Sequence, residues 1–93
     1  MSEVAQAERV PSFRRGVKFR FDAVRDAWVV LAPERLFLPD EHAIEVLKLV
    51  DGTRSLAAIT DDLCARFAAP RDVVMADVAA LLQELAEKGV VTW

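Results

Sequence analysis

The stretch VVLAPERLFLPDEHA, Val29 to Ala43, decides how this chain folds. It begins as a strand, breaks at APER, resumes for one short apolar run, LFL, and passes through Pro39-Asp40 into a helix. Pro33 has no amide hydrogen to give to a ladder, so APER reads as a turn. Arg35–Leu38 is then a third strand. Short edge strands are normally guarded by charge or proline, and here Pro39 arrives only after the apolar run. An edge left open for another chain accounts for that pattern. Alternation alone does not fix whether the amide of Phe37 or those of Leu36 and Leu38 face outward.

Upstream, GVKFRFDAVRDAWVVLA alternates clearly. Val17, Phe19 and Phe21 share one strand face, and Lys18 and Arg20 share the other. Trp28–Ala32 is apolar on both faces and reads as the central strand, with Trp28 in the core. Asp22–Asp26 supplies the hairpin connection. Met1–Ser12 is polar, has no sustained period and reads as a flexible N-terminal tail, leaving residues 13–93 as a single domain.

Downstream the period changes to that of helices. Asp40 is a good N-cap, and Glu41 suits the positive end of the helix dipole. Ala43, Ile44, Val46, Leu47 and Val50 form one stripe, which Asp51-Gly52 is expected to stop. Ser55 caps a second helix whose buried side carries Leu56, Ile59, Leu63 and Phe67. Ala68-Ala69 breaks it, and Pro70 fits the first position of a third helix. That helix runs to about Lys88 and ends at Gly89, with VVTW as a closing short strand. Strands followed by helices, with no alternation between them, predict an α+β fold.

The same residues exclude much chemistry. Ninety-three residues make one domain, since two halves could not each bury a core. A net charge of −3 gives the whole molecule no electrostatic reason to seek nucleic acid. The lone Cys64 rules out an internal disulfide and suits a reducing compartment. No run approaches a membrane span and no signal-peptide core is present, so the expected location is the cytoplasm. His42 is the only histidine and there is no tyrosine, so no catalytic constellation or zinc ligand set assembles. Three glycines, none suitably placed, leave no phosphate loop. The expectation is a binding protein that is not an enzyme, with no metal, no cofactor and no membrane contact.

Two surfaces remain. On the third helix Val74, Val78, Leu81 and Leu85 suffice to meet a core. Met75, Ala79, Leu82 and Ala86 widen the apolar arc beyond one contact, which fits either a helix packed on two sides or a groove wall. The second and third helices also have a helix–turn–helix look, so a winged-helix module for DNA binding or dimerisation is the alternative. Asp72, Asp77, Glu84 and Glu87 on the exposed side argue against phosphate contact. Basic residues gather instead at Arg9, Arg14, Arg15, Lys18 and Arg20, as a solvated face or as attraction to an acidic partner.

RGVKFRFD, WVVLAPERLFLPDEHAIEVLKLVDGTRSLAAI and DVAALLQELAEKGVV together resemble the PqqD family of pyrroloquinoline quinone biosynthesis, over about Pro11 to Val91. The telling pieces are Pro33-Glu34, Ala43, Asp51-Gly52, and Asp77-Val78 with Leu82, Leu85 and Gly89. Pro39 and His42 depart from the family's less interrupted approach to the helix. The resemblance implies a peptide chaperone that binds the precursor peptide PqqA. It presents that peptide to the radical SAM enzyme PqqE, which cross-links a glutamate and a tyrosine and carries the iron–sulfur chemistry itself. It also implies a winged helix–turn–helix-like fold, an N-terminal three-stranded antiparallel sheet followed by three helices. In such folds the leader peptide adds to the third strand and lies against the third helix. Matched here, these are Arg35, Leu36, Phe37 and Leu38, with Met75, Val78, Ala79, Leu82 and Ala86. Arg14, Arg15, Lys18 and Arg20 are expected to steer a partner, and the molecule to be a monomer or a weak, strand-exchanged dimer.

Overall fold

The structure is a computed structural model that describes residues 6–93. Residues 6–7 are helical, and after them the described residues form, in chain order, β1 (Ser12–Phe13), β2 (Lys18–Asp22), β3 (Ala27–Ala32), β4 (Arg35–Phe37), α1 (Glu41–Leu47), α2 (Leu56–Arg66), α3 (Arg71–Glu87) and β5 (Val91–Thr92). β2, β3 and β4 form an antiparallel sheet in that spatial order, so β3 is central and both borders are open among the described residues. The fold is α+β, as the order of strands and helices predicts.

Phe19, Val30 and Phe37 stand in one cross-strand row. Val30 belongs to the hydrophobic core, with Val46, Leu47, Leu56, Ile59, Leu63, Val78, Leu82 and Val90, and the partly buried Phe19 and Phe37 pack against it. Trp28 is only half-buried. It stacks on Phe19 at 4.8 Å, and the Lys48 ammonium lies 5.1 Å above its ring. Lys18 and Arg20 occupy the opposite face, across from Leu31 and Val29.

The helix caps follow from single residues. The Asp40 carboxylate accepts from the Ala43 amide at 2.8 Å, and the Ser55 hydroxyl accepts from the Ala58 amide at 3.1 Å. Each satisfies an amide that the first helical turn cannot pair internally. α3 ends at Gly89, φ +79°, with Gly89 N–H donating to Ala86 C=O and Val90 N–H to Leu85 C=O. This left-handed close favours glycine, since a Cβ would be strained.

Several local expectations differ from what is found. α1 stops at Leu47, before Asp51-Gly52, though Leu49 and Val50 remain buried beyond it. Asp51 instead organises the following turn, accepting from the amides of Thr53 and Arg54 at 2.9 Å each. Those bonds hold its carboxyl down at about 2. Pro70 is the N-cap of α3, one place before the first helical position. β4 ends at Phe37, leaving Leu38 outside the ladder.

The N-terminal segment, read as a flexible tail over residues 1–12, differs most. Residues 1–5 lie outside the described part. Beyond them Pro11 is fully buried, and the Arg9 carbonyl accepts from Leu56 N–H at 2.8 Å. The Arg9 guanidinium lies 4.1 Å over the Trp93 ring and donates to the Trp93 carbonyl at 2.7 Å. β1 pairs with β5, Ser12 opposite Thr92 and Phe13 opposite Val91. A two-residue strand has no period, and its partner lies at the far end of the chain, so no local pattern announces it.

Candidate functional site

No strand pairs with the outer side of β4 among the described residues. Register settles which groups face that side. Ala32 and Arg35 flank the two-residue connection Pro33-Glu34. A hairpin closed over two residues requires its flanking pair to exchange both backbone hydrogen bonds. Bonded and non-bonded pairs alternate, so Phe37 bonds to Val30, and Leu36 opposite Leu31 does not. The N–H and C=O of Leu36 therefore point into the open border. Side chains divide the other way, with Phe37 toward the core and Leu36 on the outer face, 40% exposed. Leu38, just past the strand, is 64% exposed.

β4 leads through Leu38-Pro39-Asp40 into α1, and there a cleft of about 670 Å³ opens between α1, the end of α2 and the first half of α3. Ile44, Val46, Leu63, Val74 and Val78 give it an apolar floor. Phe67 and Val73 form its lip, 47% and 52% exposed. Glu41, His42, Glu45, Lys48 and Asp77 supply a polar rim. Within it Glu45 faces two cations, Lys48 Nζ at 3.5 Å and Arg66 Nη1 at 3.5 Å. Glu41 and Asp77 have no such neighbour among the described residues, which leaves the rim acidic. An apolar cleft of this size with a few polar groups at its mouth is suited to hold side chains of a ligand.

The structure distributes the expected site residues unevenly. Arg35, Leu36, Phe37 and Leu38 lie at the open border, and Val78 lies in the cleft floor, nearly buried. Leu82 is fully buried and has no surface to offer a ligand. Met75 and Ala79 line a separate depression with Gln6, Arg71 and Asp72, on the other flank of the Val78–Leu82 line. Ala86 packs half-buried against the core. The groove wall on α3 is thus Val73, Val74 and Asp77. The over-wide apolar arc fits a helix packed on two sides as well as a groove wall, and it left the rotation of α3 open. Phe67, expected on the buried side of α2, is exposed because the helix stops at Arg66 and Phe67 turns extended. Arg14, Arg15, Lys18 and Arg20 are all exposed, on β2 and its approach, across the sheet from β4.

Among the described residues no group of three or more His, Cys, Asp or Glu is placed to hold a metal ion. None of the described helices is long and apolar enough to cross a membrane.

The family model for coenzyme PQQ synthesis protein D (PqqD) matches residues 27–91. This chain belongs to the PqqD family. A relative from Bradyrhizobium diazoefficiens named PqqA binding protein is 48% identical over 89 residues, covering 96% of this chain and 85% of its own. One of the same name from Gluconobacter oxydans is also 48% identical, over 87% of this chain and 84% of its own. The solution structure of the PqqD part of Methylobacterium extorquens PqqCD, described as a stand-alone recognition element for ribosomally made, modified peptides, superposes with a TM-score of 0.79. It is 41% identical and the match covers 94% of this chain and 93% of that one. The crystal structure of PqqD from Xanthomonas campestris, 39% identical over 95% and 93% of the two chains, gives 0.57. The PqqD fold extends further. A lasso peptide synthetase B1 chain only 17% identical reaches 0.77 over 91% of this chain and all of that one.

Proposed function

We propose that this chain binds the precursor peptide PqqA as an added strand on β4 and presents it to the radical SAM enzyme PqqE, in the cytoplasm. It takes no chemical part in the reaction. The carrying observation is the outward N–H and C=O of Leu36 on an open border, followed within a few residues by α1, whose side chains line an apolar cleft. An extended peptide on such an edge gains main-chain hydrogen bonds, and the neighbouring cleft selects among its side chains. The peptide's residues nearest α1 and α3 drop onto Phe67, Val73 and Val74, between the carboxylates of Glu41 and Asp77. The names of the relatives, PqqA binding protein, support the identity of the ligand. With one histidine and one cysteine in the chain, acid–base or nucleophilic work has no partnered group to carry it.

Amide hydrogen exchange with and without saturating PqqA tests the reading. Exchange should slow at Leu36 and Leu38, and resonances of Phe67 and Val73–Val78 should move. Protection confined to the exposed acidic side of α3 would overturn strand addition at β4.

A further inference from the structure

The charges of this chain are segregated. From Ser12 to Phe37 there are six basic and three acidic side chains, and from Leu38 to Trp93 five basic and ten acidic. The five cations of the helical part, Lys48, Arg54, Arg66, Arg71 and Lys88, each lie within 3.7 Å of a carboxylate. In the sheet part Arg25 pairs with Asp22 at 3.3 Å. Arg14, Arg15, Lys18 and Arg20, like Arg35 on β4, have no carboxylate at that distance among the described residues, and all five are exposed. Four of these uncompensated cations fall within seven residues of the chain, on an otherwise acidic molecule.

Lys18 and Arg20 sit on a second open border, and Arg14 and Arg15 lie just before it in the chain. β3 spends the backbone groups of Val30 and Ala32 on β4, so Ala27, Val29 and Leu31 bond to Asp22, Arg20 and Lys18. The N–H and C=O of Phe19 and Phe21 are therefore the ones that face outward from β2. Beside them, on the outer face, Lys18 and Arg20 stand across from Leu31 and Val29. A second copy of this chain pairing there would oppose cation to cation, which disfavours it. The net negative charge works against a long polyanion such as duplex DNA. An extended acidic segment meets neither objection. It would bond to the amides of Phe19 and Phe21 and pair its carboxylates with Lys18 and Arg20.

We propose that the β2 border, with Arg14, Arg15, Lys18 and Arg20, docks an acidic extended segment of a partner protein while the β4 border holds peptide. The two borders lie on opposite sides of β3, so neither occupant blocks the other. The inference rests on the assignment of peptide to β4, and its test separates the two.

The test compares the native full-length chain with the K18E/R20E variant, using purified PqqE as the partner probe and PqqA titrated in parallel. Association with PqqE should slow by about tenfold in the variant and lose its dependence on ionic strength. Affinity for PqqA and thermal stability should stay unchanged. In the native chain PqqE should slow amide exchange at Phe19 and Phe21. Unchanged PqqE association in the variant would overturn the proposal, as would equal loss of PqqA binding. Binding of the native chain to duplex DNA or anionic vesicles that K18E/R20E abolishes would also overturn it, assigning the border to polyanions. Should L36P leave PqqA binding intact while K18E/R20E still loses PqqE, the β4 assignment alone would fall.

Discussion

Phe37 stands directly across the β3–β4 ladder from Val30, which turns its ring to the core and its amide toward β3. Leu36, one residue earlier, does the reverse. Proline at these two positions should therefore act differently. L36P removes an outward donor and should weaken PqqA binding by about 0.5–1.5 kcal/mol or more, with the fold intact. F37P breaks the ladder bond to Val30 and empties part of the core, so its main effect should be on thermal unfolding. Equal binding loss and equal stability in the two variants would contradict the register argument.

Val73 and Leu82 make a second contrasting pair. Val73 is exposed on the lip of the cleft, in the first turn of α3, where an acidic residue suits the helix dipole. V73D should leave stability nearly unchanged and weaken PqqA binding by roughly 1–3 kcal/mol, through a charge placed in an apolar contact. L82A should cost about 2–5 kcal/mol of stability by leaving a core cavity. Isothermal titration and urea unfolding on both variants check the pair.

Arg9 holds Trp93 by a guanidinium over the ring and a charged hydrogen bond to its carbonyl. R9A should lower stability by about 1–3 kcal/mol, and R9K should recover only part, since an ammonium lacks the planar fork. Urea midpoints, with β1–β5 amide exchange as the local readout, measure this.

Asp51 gives the pH dependence its sign. Hydrogen bonds from Arg54 and Thr53 lower its carboxyl from 3.8 to about 2. A folded-state value below the unfolded one stabilises above the unfolded value and fades as pH falls through the folded one. Stability should thus drop between about pH 4 and 2. D51N, which keeps an acceptor oxygen but cannot titrate, should flatten that part of the curve. An NMR titration of the Asp51 carboxyl gives the same test directly.

The sheet and the helix starts were legible because each rests on a few adjacent residues. The alternation of Lys18–Phe21 places Phe19 and Lys18 on their faces, and Asp40 and Ser55 cap where their short oxygen-bearing side chains predict. Pro33-Glu34 fixes the β3–β4 turn, and with it the register. The cleft was legible only in part. α3 is apolar over so wide an arc that several rotations would bury it equally well, and only packing against α2 and β5 chooses Val78 and Leu82 for the core. Phe67 keeps helical spacing with Leu63 but falls just past the point where α2 ends. The β1–β5 ribbon joins residues from the two ends of the chain, a contact no window along the sequence contains.

The brevity of β4 has a kinetic meaning. Within its three residues only Leu36 offers both backbone groups outward, so on the proposed strand addition the strand itself would contribute two hydrogen bonds, roughly 1–3 kcal/mol. A micromolar complex needs about 8 kcal/mol, so most of the grip must come from side chains in the cleft. Such a complex would have few main-chain bonds to break in sequence. Peptide held this way would be selected by its side chains and released without a long ladder to unzip.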